Sequence, residues 1–301
     1  MKYVNQAPKE LSAQSAKFKK KWPSVEALCN HGWAVQPKYD GVHAMIHTGS
    51  ADQPEGRALS RTGEAYLSID HLIKACQRAF GYDWVVFVEV WVPEWKHKDI
   101  NGAARRQYPN PELKAVVFDA VPQVCFDRGI DDNPYWERLD FVLGCISQFI
   151  DLIPPAEVFP EDQVFTDGSV IATALTYKNS EVDAYDGLIL RDLNAQWKAG
   201  AAKEGEVIKV KPSLSLDLVV VGHSVEQRAT KLGGYFTVEY NGIRSDVGSG
   251  LTQAMLQGLT LGVYHVGKIV EIECLGITPD GKLREPRFKG FRFDTVNEER
   301  K

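Results

Sequence analysis

Apolar residues recur along this chain in two rhythms, and together they predict a protein built mostly of sheets with a few amphipathic helices. Period-two and continuous apolar runs mark strands: Trp33-Ala34-Val35, Val42 to Ile46, Trp84 to Val92 and Ala115 to Val121, rich in β-branched and aromatic residues. Helical spacing links Ile69, Leu72, Ile73, Cys76 and Phe80, and again Trp136, Leu139, Leu143, Ile146 and Ile150. Each set is expected to form the buried stripe of a helix. A further strand is expected over Val207-Ile208-Lys209-Val210-Lys211, stopping at Pro212 where Ser213-Leu214-Ser215 follow.

That stop places a boundary between a first domain over residues 1-212, of α+β class with mixed and antiparallel sheets, and a second over 213-301. Each is long enough for its own core. In the second, Leu218 to Val221, Tyr235 to Val238 and Lys268 to Ile272 read as strands between glycine-rich turns, with a short helix from Leu251 to Leu259. Strands around one helix suit a small Greek-key barrel of the OB type, and other small barrels fit the same pattern.

Polar residues interrupt these runs at particular places. Period-two alternation puts Glu89 on one face with Phe87 and Trp91, while Val86, Val88 and Val90 fill the other, so a carboxylate flanked by aromatics needs a partner. A structural ion pair would supply one, and so would a ribose hydroxyl or a metal. Lys209 and Lys211 project from one strand face, where their ammonium groups repel unless an anion such as phosphate lies between them or the face is open to solvent. Between two strands stands Lys38-Tyr39-Asp40-Gly41-Val42-His43, an amine nucleophile two residues from a carboxylate and a turn-forming glycine. Alone, it also reads as a surface lysine beside a β-turn.

Composition narrows the class. The 301 residues are 44% hydrophobic and 25% charged, ordinary for a globular protein. Five scattered cysteines without C-x-x-C spacing argue against a disulfide framework and a structural zinc, and favour a reducing cytoplasm. No apolar run reaches the length of a membrane span, so no membrane partner is expected. The net charge of -5 is unusual for a nucleic-acid enzyme, yet basic residues cluster locally: Lys17, Lys19, Lys20 and Lys21; Lys96, Lys98, Arg105 and Arg106 in an expected loop; Lys282, Arg284, Arg287, Lys289 and Arg292 near the end. No P-loop, G-x-G-x-x-G or H-E-x-x-H motif occurs.

After the lysine motif come, in order, Ser60-Arg61-Thr62-Gly63, Phe87-Val88-Glu89-Val90, Val117-Phe118-Asp119, Asp186-Gly187-Leu188-Ile189-Leu190-Arg191, Ile208-Lys209-Val210-Lys211-Pro212, and Leu283-Arg284-Glu285-Pro286-Arg287-Phe288 with Arg292. This ordered set resembles the covalent nucleotidyltransferases, and most closely the small phage-type ATP-dependent DNA ligases. The resemblance implies an adenylation domain followed by an OB-fold domain, ATP and Mg2+ as cofactors, nicked double-stranded DNA as partner, and a monomer. It implies that Lys38 takes up AMP from ATP, that Lys209 and Lys211 bind the α-phosphate, and that Phe118 stacks on adenine. Gln36, His43 and Glu89 would complete the nucleotide site, Glu89 at the ribose or a metal. Asp40 and Asp186 would help place metal, Asp40 also assisting the later steps. Arg292 would orient the leaving pyrophosphate, Arg61 would contact the nick 5′-phosphate, and Lys98, Arg105, Arg106, Arg284 and Arg287 would grip DNA.

The chain departs from that family at four places. His43 stands where arginine is usual, Asp186 where glutamate is usual, Glu89 lacks the preceding glycine, and Thr295 replaces a closing lysine. An RNA ligase or capping-type nucleotidyltransferase shares the lysine motifs. A noncatalytic nick-binding module would keep the fold without needing Lys38, Lys209 and Lys211.

Overall fold

The strand rhythm of the first domain builds two main sheets, with two small two-stranded ones beside them among the described residues, and the chain crosses between the main sheets at the lysine turn. In the computed structural model, which describes residues 6–10, 20–22, 31–156, 185–211, 213–278 and 280–292, the chain divides into two compact units, Met1–Lys211 and Pro212–Lys301. Lys17, Lys19, Cys29 and Thr295 lie outside the described residues.

In the first unit, Trp33–Tyr39 pairs antiparallel with Tyr185–Asp192, which pairs antiparallel with Val207–Val210; the short Lys9–Glu10 strand adds a parallel edge. The second sheet runs Arg57–Leu59, Val42–His47, Trp84–Trp91, Lys114–Pro122 and Leu152–Ile153, antiparallel except for the last pair. Only Asp40 and Gly41 separate the Trp33–Tyr39 strand from Val42–His47. Glycine is required there, because a Cβ at Gly41 would sit 2.3 Å from the Val90 carbonyl oxygen and 2.9 Å from Glu89 Cγ.

Helix Asp70–Phe80 buries Leu72, Ile73, Cys76 and Phe80, with Ile69 buried at its N-cap, and packs in the same core cluster as Val86, Val88 and Val90. The second expected stripe is corrected. Helix Tyr135–Ile146 buries Tyr135, Arg138, Leu139, Val142 and Ile146, while Trp136 is 50% exposed and Ile150, beyond the helix, is 87% exposed. The buried face is rotated because Arg138 lies inward, paired with Asp119. The stretch around Lys98 is also not a loop: His97–Ala104 is a helix held by Ile100, Ala103 and Ala104. One isoleucine and two alanines give too faint an apolar stripe for periodicity to register.

The second unit is a five-stranded antiparallel sheet in the order Ile243–Val247, Leu232–Tyr240, Leu214–Gln227, Ile269–Cys274, Arg287–Phe291. Its core comprises Val220, Phe236, Val238, Val247, Val270, Ile272 and Phe288. Helix Gln253–Thr260 starts at Thr252, whose Oγ1 accepts the Met255 amide at 3.2 Å. Leu214-Ser215, expected at the domain boundary, already belong to the long Leu214–Gln227 strand, whose first four residues leave no buried face to betray it. The whole is a mixed α+β, sheet-rich protein, and among the described residues no helix is long and apolar enough to cross a membrane.

Candidate functional site

Strand alternation in the first sheet puts Gln36 and Lys38, Ile189 and Arg191, and Lys209 and Lys211 on one face. Ile189 stands between Gln36 and Lys209 in register. In the second sheet His43, Glu89 and Val116 share a row, with Phe118 two residues beyond Val116. Gln36, Lys38, His43, Arg61, Glu89, Val116, Phe118, Ile189 and Arg191 line one cleft, whose apolar and aromatic walls with a few convergent polar groups suit a small organic ligand.

At its lysine end, Lys38 Nζ lies 3.0 Å and Lys211 Nζ 2.8 Å from the same oxygen, Asp186 Oδ2, with Asp186 itself buried. Burial pushes the Asp186 carboxyl up, but Lys38 and Lys211 outweigh it and hold it below the usual aspartate value. Asp186 thus sits between the expected nucleophile and one of the two expected phosphate-binding lysines. Lys209 is partly buried on the same strand face, in register with Ile189. Asp40 lies in the turn beside Lys38, and His97 Nδ1, which can only donate to a carbonyl oxygen, is 3.3 Å from the Asp40 carbonyl and 3.7 Å from its carboxylate.

Glu89 and His43 are neighbours across the strand pair and shift in opposite senses. Burial raises the Glu89 carboxyl to about 7, against the pull of Lys38 and Arg61 and with a push from Asp40. Burial, then Arg61 and Arg191, lower His43 to about 3, so its imidazole is neutral at pH 7. At position 43 the cleft therefore presents a neutral ring, tilted against Phe118 at 5.9 Å between centroids.

Arg61 occupies the tip of a tight turn. Ser60 Oγ accepts the amides of Thr62 at 3.3 Å and Glu64 at 3.0 Å, leaving the Arg61 side chain exposed at the cleft rim. Lys98, Arg105 and Arg106 are exposed on or just after helix His97–Ala104, where Arg105 Nε donates to Asn101 Oδ1 at 3.0 Å and Arg106 lies 5.7 Å over the Tyr108 ring. Within the second unit, Arg287 is exposed, Arg284 is half-buried, and Arg292 is paired with Asp217 at 2.9 Å and Glu271 at 3.3 Å.

Three residues in or beneath the cleft have no role in the motif reading. Arg191 closes the motif that begins at Asp186, yet it bears on the Phe118 end of the cleft: its guanidinium lies 4.6 Å over the Phe118 ring and 5.3 Å over Tyr135. Its buried Nε has no hydrogen-bond partner among the described residues. Ile189 lines the cleft beside it. Two-residue alternation from Gly187 would have placed both on one face. Tyr135 gave no signal, because it approaches from a helix distant in sequence.

Among the described residues no three histidine, cysteine or carboxylate side chains converge. Magnesium ordinarily binds through one or two carboxylates together with substrate phosphates. Glu89 at the cleft and Asp40 beside it offer oxygens of that kind, while Asp186 is engaged by the two lysines.

No protein-family model matches the sequence, and no curated protein matches it. Solved structures do. The chain is similar to the structure called Pmar-Lig_Pre, with 19% identity and a TM-score of 0.74, over 97% of this chain and 68% of that one. It is similar to the protein in a structure-function study of Lig E DNA ligases concerned with DNA binding by a minimal scaffold, with 15% identity and a TM-score of 0.68, over 96% and 99%. A third likeness is to the ATP-dependent DNA ligase of bacteriophage T7 in complex with ATP, with 18% identity and a TM-score of 0.55, over 97% and 99%. The chain shares its fold with ATP-dependent DNA ligases.

Proposed function

We propose that this protein is an ATP-dependent DNA ligase that seals nicks in duplex DNA. The observation that carries the reading is the Lys38–Asp186–Lys211 cluster at one end of a cleft whose other wall holds Phe118 and Glu89. Shared fold alone would not assign an activity. The first unit is then the adenylation domain and the second an OB-fold domain, acting as a monomer in the cytoplasm.

In this reading adenine stacks on Phe118, Glu89 takes a ribose hydroxyl, and Lys209 and Lys211 hold the α-phosphate. Lys38 first gives its ammonium proton to solvent and then attacks as the neutral amine. The nitrogen–phosphorus bond forms as the bond from the α-phosphorus to the bridging oxygen breaks, and pyrophosphate leaves with the electron pair. The proton shed by nitrogen has Asp186 Oδ2 only 3.0 Å away. Lys209 and Lys211 neutralise charge gathering on the phosphate oxygens. Bound Mg2+ would screen the polyphosphate, with Glu89 and Asp40 as its protein oxygens. Arg292 would release Asp217 and Glu271 to meet pyrophosphate. AMP next passes to the 5′-phosphate of a nick, held by Arg61, and the adjacent 3′-hydroxyl displaces it to join the strand. Lys98, Arg105, Arg106, Arg284 and Arg287 contact flanking phosphates.

The test is a nicked duplex carrying a labelled 5′-phosphate, incubated with the protein, ATP and Mg2+. The label should become resistant to phosphatase as the strands join. Joining only of nicked RNA, or transfer of GMP to diphosphate-ended RNA, would replace the DNA ligase reading with one of the RNA-directed alternatives.

A further inference from the structure

Beneath the base end of the cleft, three groups form a hydrogen-bond relay. Tyr135 Oη lies 2.9 Å from the Phe118 carbonyl oxygen, and Gln36 Nε2 lies 3.0 Å from Tyr135 Oη. Direction follows from chemistry. A carbonyl can only accept, so the Tyr135 hydrogen goes to Phe118 and the hydroxyl oxygen must accept from Gln36. Burial pushes the Tyr135 phenol up to about 12, so that hydrogen stays in place. The Gln36 amide is therefore held with its amino group on Tyr135 and its carbonyl oxygen as the pole offered to a ligand.

Gln36 is 3% exposed, and the cleft it lines also holds Phe118 and Ile189. An unrestrained glutamine can turn its amide over and present either a donor or an acceptor, so it would not distinguish the two purines. Adenine carries an amino donor at C6 where guanine carries an acceptor oxygen. We propose that Tyr135 is the positioning residue for purine choice: by fixing Gln36 as an acceptor, it makes the site take adenine and refuse guanine. The inference rests on the ligase reading and assigns a task to a residue that touches no substrate. Phe118 belongs to the same relay, so the ring that stacks on the base and the amide that reads its edge are held by one hydroxyl.

The test uses Tyr135→Phe, which keeps the ring beneath Arg191 and Arg138 and removes only the hydroxyl. The readout is kcat/KM for protein modification by ATP divided by that for GTP. The unmodified protein should favour ATP strongly, and Tyr135→Phe should reduce that ratio by about tenfold or more, the scale set by a buried polar group left unsatisfied. Adding Gln36→Glu to Tyr135→Phe should restore it, because a carboxylate has no donor pole to present. An unchanged ratio in Tyr135→Phe, or a reduced ratio that Gln36→Glu does not restore, overturns the proposal while leaving the ligase reading intact. Modification of the unmodified protein by neither nucleotide overturns both. Should Tyr135→Phe not fold, Tyr135→Met decides on the same readout: a reduced ratio supports the lock, and an unchanged ratio overturns it.

Discussion

Glu89 and His43 lie opposite each other in one strand pair, and the same burial gives them contrary dependences on pH. The folded chain keeps the Glu89 carboxyl protonated up to about 7, whereas the unfolded chain releases that proton near 4.5. Stability therefore falls as pH rises from 4.5 to about 7. At His43 the unfolded chain takes up a proton below 6.5 and the folded chain refuses it until about 3, so stability falls as pH drops through that window. Glu89→Gln deletes the first effect and leaves the second. Its melting temperature relative to the unmodified protein should climb as pH rises from 4.5 to about 7, followed by calorimetry; a difference that stays constant across the window would contradict the burial argument. These residues were legible in the sequence because each breaks an apolar run. Arg191 and Tyr135 were not, since their importance comes from stacking and hydrogen bonds between segments far apart in the chain.

Among elements, the strand Lys114–Pro122 and the helix Tyr135–Ile146 are tied by the pair Asp119–Arg138, two parallel hydrogen bonds of 2.9 Å with both side chains buried. Arg138 Nη1 also donates to the Asn133 and Ala195 carbonyls, at 2.6 Å and 3.2 Å. The pair stands next to Phe118, so it holds that residue as well as the helix. Asp119→Ala leaves Arg138 buried without its counter-charge and should cost about 3–5 kcal/mol of stability. Asp119→Leu combined with Arg138→Met should recover most of that in a denaturant titration, and no recovery would show that the loss came from packing instead. This pair also explains what periodicity could not see. A buried arginine is polar by type, so a stripe chosen from apolar residues passed over position 138 and settled on Trp136 and Ile150. Strands with strong β-branched content, such as Trp84–Trp91, had no such competitor and emerged close to their observed ends.

For the molecule as a whole, a net charge of -5 conceals a local distribution: Lys98, Arg105 and Arg106 are exposed on one short helix and its end, and Arg61 stands at the cleft rim. Long-range affinity for DNA would come from such clusters and not from the average. The fold is shared with solved ligases at only 15–19% identity, and within it the lysine turn and the cleft rows are each set by strand register. The central claim is that Lys38 becomes covalently modified, and intact-mass measurement after incubation with ATP and Mg2+ tests it most directly. The protein should gain the mass of one AMP, peptide mapping should place it on Lys38, and Lys38→Ala should gain nothing. An adduct that persists in Lys38→Ala, or that forms with GTP and not with ATP, would contradict the account.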